Sequence, residues 1–105
     1  MIELFLKLVI GHAIADFWMQ TDAIATGKNR NIDPEKFGVP WWYWLTAHAL
    51  MHGGVVWAIT GNVWLGCAEI IAHWLIDFGK CEKWYGIHED QAAHIWCKIM
   101  WVGLA

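Results

Sequence analysis

Four long apolar stretches alternate with polar connections along this chain: Ile2 to about Gln20, Trp41 to Thr60, Asn62 to Gly79, and about Glu89 to Ala105. At about 1.5 Å per residue each spans roughly 26–30 Å, the thickness of a bilayer's hydrocarbon core. None contains an internal proline. Backbone polar groups in lipid must be satisfied within the segment, so the pattern predicts helices. The expected fold is all-α: one domain over residues 1–105, a four-helix transmembrane bundle with one long polar loop between the first two helices.

The connections differ in character. Thr60-Gly61-Asn62 reads as a tight turn that makes the second and third helices an antiparallel hairpin. Residues 80–88 form a short polar link. Thr21 to Pro40 is a long loop carrying Lys28, Arg30, Asp33-Pro34 and Lys36, and a loop of that length in so small a protein is usually functional or disordered. Lys28, Arg30, Lys36, Lys80 and Lys83 share one side of the predicted bundle. The positive-inside rule then puts loops 21–40 and 80–88 in the cytoplasm of a bacterial inner membrane and both termini outside. Leu4–Ile10 followed by Ala13-Ile14-Ala15 imitates a signal peptide, but Glu3 and Lys7 do not suit one.

Composition strengthens the membrane expectation. The chain is 58% hydrophobic and 16% charged, with ten Trp in 105 residues. Indole concentrates where an apolar phase meets water, and the Trp41-Trp42-Tyr43-Trp44 run reads as an interfacial belt. A net charge of −3 offers no basic field for nucleic acid. Cys67, Cys81 and Cys97 are odd in number and form no CxxC pair, so they read as reduced thiols.

Each predicted helix carries an ionisable pair four residues apart: His12 with Asp16, His48 with His52, His73 with Asp77, and Asp90 with His94. Residues at that spacing share a helix face, which lets one helix present two ligands to one ion. All four pairs fall in the cytoplasmic half of the expected bundle. An intramembrane Asp costs roughly 2.5–3.5 kcal/mol at a helix centre, and a divalent cation offsets that cost. Mixed imidazole and carboxylate ligands suit zinc first, with manganese, iron or nickel as alternatives. One or two ions would use His12, Asp16, His48, His52, His73, Asp77 and His94, leaving Asp90 as a general acid or base. A buried polar network without metal is the competing reading.

Other candidates carry weaker signals. Glu69, one turn before His73, either joins the site or faces a neighbouring helix. His88 reads as a solvated loop residue and Cys97 as a buried, inert thiol. Lys28 and Arg30 are placed to hold a phosphate over the site, although loop cations often only orient a membrane protein. There is no GxSxG, P-loop or nucleotide-binding glycine motif.

The ordered set His12-Ala-Ile-Ala-Asp16-Phe17, Gln20-Thr21-Asp22, Lys28, His48-Ala-Leu-Met-His52, His73-Trp-Leu-Ile-Asp77 and Asp90-Gln91-Ala-Ala-His94 resembles a family of small bacterial and phage membrane proteins known as domain of unknown function 3307. The resemblance covers most of the chain. It implies an integral membrane protein of unestablished activity, distantly similar to predicted inner-membrane metal-dependent hydrolases. It also adds Gln20 and Gln91 as neighbours of the site. The Asn29–Pro40 loop and the Trp-rich second helix lie outside the pattern.

The functional expectation is a metal-dependent hydrolase acting on a lipid or lipid-linked ester or phosphoester. Two alternatives stand beside it. One is a non-catalytic accessory protein that binds a host membrane protein or a second copy of itself, with a structural metal or polar network. The other is a proton or metal-ion conduit, which the apolar outer half of the helices disfavours.

Overall fold

The computed structural model describes residues 1–32 and 38–105. Its elements are α1 (Ile2–Ala13), a π-helical continuation (Ile14–Trp18), α2 (Asp22–Gly27), α3 (Trp41–Thr60), α4 (Val63–Cys81) and α5 (Ile87–Leu104). The chain is all-α among the described residues, as expected. The first stretch changes helix type partway, and α4 and α5 shorten the link expected at 80–88. The expected loop 21–40 contains a short helix that the hydropathy pattern did not signal. Thr21 caps it by accepting from the Ile24 amide. Lys36 and the Asp33-Pro34 pair lie outside the described residues.

The hairpin turn forms where predicted. Gly61 takes a left-handed φ of 68° at the end of α3, and the Asn62 side chain accepts from the Trp64 and Leu65 amides to start α4. Such a conformation is cheap for glycine, and an Asn cap satisfies amides that the first turn leaves free. α3 and α4 share the most extensive contact in the fold. Their approach depends on Gly53 and Gly66: a Cβ on Gly53 would lie 2.2 Å from Ile70 Cγ1 and 2.8 Å from the Gly66 carbonyl oxygen.

The interior divides into two layers. Leu8, Val56, Leu65 and Trp101 form an apolar core, drawn from the ends of α1, α3, α4 and α5 nearest the Thr60–Asn62 turn. The other layer is ionisable. His12, Asp16, Lys28, His48, His52, Glu69, His73, Asp77, Asp90, His94 and Lys98 are all buried, against seven buried apolar residues among the described residues. Large apolar side chains instead face outward on every long helix, including Ile10, Leu50, Ile71, Leu75 and Ile99.

Among the described residues no helix is long and apolar enough to cross a membrane, so the expected transmembrane character is not carried by hydropathy. α1 is too short once the helix changes type at Ile14, and in the longer helices the inward-facing ionisable side chains lower the average although the outward faces are apolar. The aromatic run also divides. Trp42 and Tyr43 are exposed, whereas Trp41 packs against Trp74 and Phe78.

The helix crossing is testable with adjacent glycines. Gly53→Ala should lower stability by about 1–3 kcal/mol, because the crossing has no room for the methyl group. Gly54→Ala, whose Cβ would meet nothing within 4 Å, should raise stability by about 0.5–1 kcal/mol through helix propensity. Thermal unfolding followed by circular dichroism compares the two.

Candidate metal centre

The ionisable layer is built from rows of side chains four residues apart. α4 supplies Glu69, His73 and Asp77, and α5 supplies Asp90, His94 and Lys98, all buried. The two helices are antiparallel neighbours, so the rows match in opposite order. Lys98 donates to Glu69 at 2.7 Å, the His73 and His94 rings stack at 4.2 Å, and His94 Nε2 lies 3.3 Å from Asp77 Oδ1. α3 adds His48 and His52 on its buried face. α1 adds His12, and the π turn adds Asp16. Within that turn the Met19 amide bonds back five residues to the Ile14 carbonyl, and single π turns of this kind are frequent at functional sites.

The imidazoles converge through one atom type. His48 Nε2 lies 3.2 Å from Asp16 Oδ1 and 3.4 Å from Asp77 Oδ2. His52 Nε2 is 3.4 Å from Asp16 Oδ1, and His73 Nε2 is 3.3 Å from Asp77 Oδ2. His94 Nε2 also reaches Asp90 Oδ1 at 3.4 Å.

Three overlapping groups bring their ligand atoms within 4.8 Å of one another: Asp16 with His48, His52 and His73; His12 with His73 and His94; and Asp77 with Asp90 and His94. Ligands about 2.0–2.1 Å from a tetrahedral zinc are separated by roughly 3.3 Å, close to the spacings of Asp16 from His48 and His52. His52 Nε2 and both ring nitrogens of His73 are buried without a hydrogen-bond partner among the described residues. Buried polar atoms of this kind ordinarily have partners, so the donor set fits a cation.

His12 and Gln91 hold another position. His12 Nε2 donates to Gln91 Oε1 at 3.0 Å, and the Gln91 amide donates to Asp16 Oδ2 at 2.8 Å and Asp90 Oδ2 at 3.2 Å. With its hydrogen on Nε2, a neutral His12 keeps a lone pair on Nδ1, which is buried without a hydrogen-bond partner among the described residues, so His12 can still serve a cation together with His73 and His94.

Gln20 donates to the Asp16 carbonyl at 3.1 Å and accepts from Lys28 Nζ at 2.6 Å. Lys28 also donates to Asp77 Oδ2 at 2.9 Å. Expected as a loop cation over the site, Lys28 is instead a buried member of it, delivered by the unforeseen helix α2. Arg30 stands apart. It is half exposed, pairs with Glu82 and lies over the Phe78 ring, and its hydrogen bond holds the Glu82 carboxyl below the usual range. His88 is exposed, as expected, and Cys97 is partly buried against the apolar core.

Residues 4–104 match the model of a family described as protein of unknown function (DUF3307). The chain belongs to the DUF3307 family. No curated protein and no solved structure matches it. The matched span of this DUF3307 chain contains every residue of the buried cluster.

Sequence reasoning missed the far end of the two rows. Glu69 was left between two readings, and Lys98 and Trp101 went unremarked. The structure pairs all three, with Trp101 Nε1 donating to Glu69 Oε2 at 2.6 Å. The signal was available, because Glu69 precedes His73 by four residues and Lys98 follows His94 by four. The helices are therefore polar further toward the Thr60–Asn62 end than expected. With these residues counted, the buried charges among the described residues are four carboxylates (Asp16, Glu69, Asp77, Asp90) and two ammoniums (Lys28, Lys98).

The two loop cations should respond differently to removal. Lys28→Met removes the buried ammonium from Asp77, leaving only imidazoles against it, and should cost about 3–5 kcal/mol. Arg30→Ala removes an exposed pair and should leave the unfolding midpoint unchanged. Chemical denaturation of both variants beside wild type measures the difference.

Proposed function

We propose that this DUF3307 protein is a membrane-embedded metalloprotein. In this reading Asp16, His48, His52 and His73 hold one divalent cation, zinc first by ligand type, and the site hydrolyses an ester or phosphoester of a lipid or lipid-linked substrate. The observation that carries the metal reading is the convergence of imidazole nitrogens on buried carboxylates, with His52 Nε2 and His73 Nε2 left without a hydrogen-bond partner among the described residues. The membrane reading is supported by the inverted distribution of side chains, with Ile71 64% and Leu75 59% exposed while His48 and His73 are fully buried. Lipid meets only the outward faces of the helices, so inward ionisable residues do not oppose embedding when they are paired. At about 1.5 Å per residue, α3 is roughly 30 Å long, a bilayer core's thickness.

A bound divalent ion would supply Lewis acidity to the ester or phosphoryl oxygen. The chain's own residues supply the rest. Asp90 Oδ1 has no hydrogen-bond partner among the described residues and lies beside His94, so this pair can take and return a proton. Gln91 fixes the Asp16 and Asp90 carboxylates relative to each other. Lys28, already steered by Gln20, offers a cation to an anionic substrate group.

The complete burial of the ligands favours a second reading, a closed structural metal in a non-catalytic accessory protein. A conduit is opposed by the apolar core of Leu8, Val56, Leu65 and Trp101, which closes the bundle beyond Glu69 and Lys98.

Elemental analysis of detergent-purified protein should find one equivalent of metal in wild type and a loss of at least tenfold in His73→Ala. A metal-free wild type would sink the metal reading. Asp90→Asn should keep its metal while phosphodiesterase and esterase activity on lipid substrates falls at least 100-fold. No wild-type activity, together with unfolding on chelation, would instead favour the structural clamp. Carbonate extraction at high pH should leave the protein in the membrane pellet, and its release would count against embedding.

A further inference from the structure

His73 lies lengthwise between two carboxylates of its own helix. Its Nδ1 is 3.4 Å from Glu69 Oε1, one turn before it, and its Nε2 is 3.3 Å from Asp77 Oδ2, one turn after it. Both carboxylates carry a buried lysine, Lys98 on Glu69 and Lys28 on Asp77, but their remaining partners differ. Asp77 faces the other imidazoles of the cluster. Glu69 is held from α5 by Lys98 Nζ and Trp101 Nε1, one donor on each oxygen.

We propose that Glu69, locked by Lys98 and Trp101, is a positioning residue that keeps the proton of His73 on Nδ1 and so presents the Nε2 lone pair to the metal. This proposal rests on the metal reading above. An ionised carboxylate can only accept, so pairing His73 with Glu69 requires the hydrogen on Nδ1, whose 3.4 Å contact is close but falls short of hydrogen-bond geometry. Glu69 is oriented by two buried donors, Lys98 Nζ on one oxygen and Trp101 Nε1 on the other. With hydrogen on Nδ1, a neutral His73 turns a bare Nε2 toward Asp77, and two acceptors at 3.3 Å call for a cation between or beside them. Carboxylates that hold the far nitrogen of a metal-bound histidine act in this way, fixing tautomer and ring orientation. Here that carboxylate comes from one turn earlier on the ligand's own helix, and its anchors come from the next helix. Glu69, Lys98 and Trp101 therefore act on the site through His73 without belonging to the ligand set.

The test uses full-length protein with ring-labelled histidine in detergent. Long-range proton–nitrogen correlation spectra of the metal-free protein read the tautomer, and His73→Ala assigns the signal. Wild type should show hydrogen on His73 Nδ1. Trp101→Phe, which leaves Lys98 on Glu69, should keep that pattern.

The triple variant E69L/K98M/W101F removes the carboxylate together with both of its donors, so no buried charge is left unpaired. It should lose the Nδ1 preference and bind zinc about 10–100-fold more weakly, with unchanged stoichiometry. A bare Nδ1 in wild type, or the same protonation pattern in wild type and the triple variant, overturns the proposal. Should the triple variant not fold, the wild-type spectrum alone decides. Wild type that shows the tautomer but binds no zinc would leave the positioning role standing and remove the metal reading instead.

Discussion

Burying four carboxylates and two ammoniums inside a bundle of about a hundred residues is the constraint from which the rest of this structure follows. Each such group is costly away from water unless it is paired, and the penalty grows as the surroundings become less polar. The pairing therefore has to be nearly complete, which dictates where the helices sit. Lys98 meets Glu69, Lys28 meets Asp77, and Asp16 gathers His48, His52 and the Gln91 amide. What these contacts leave over is a set of buried imidazole nitrogens without hydrogen-bond partners among the described residues, beside carboxylates that could hold a cation.

Backbone geometry serves that pairing. The Gly53–Gly66 contact brings α3 and α4 close enough for the His52 and His73 rings to stack at 3.6 Å. The π turn carries Asp16 to the same place from the first helix. The short helix α2 closes the cluster from the side by delivering Lys28. None of these devices would be needed for an apolar core, which tolerates many arrangements of similar volume. A polar interior requires direction as well as contact, because hydrogen bonds and ligand lone pairs have fixed geometry.

The same constraint explains the surface. Helices that turn their ionisable faces inward leave Ile, Leu and Trp on the outside, and none of the described helices is both long and apolar enough to register as a membrane span. Average hydropathy and facial hydropathy separate here because the polar residues repeat every four positions, so each helix has one polar stripe and a broad apolar remainder. The functional reading depends on that separation. The polar stripes make a site, and the apolar remainder makes a surface that suits lipid.

The four apolar stretches were enough, from sequence alone, to predict the long helices, and the spacing of His12 with Asp16, His48 with His52, His73 with Asp77 and Asp90 with His94 predicted the side each turns inward. That follows because helical periodicity is local and four residues make about one turn. The Thr60–Asn62 hairpin was legible for the same reason. Tertiary structure decided how the pairs divide their work. Gln91 fixes the hydrogen of His12 on Nε2, Lys28 moves from the loop into the interior, and Arg30 stays outside with Glu82. It also paired Glu69 with Lys98 across two helices, a contact between residues 29 positions apart. Such choices depend on antiparallel register and on which donors find acceptors in three dimensions, and local sequence spacing specifies neither.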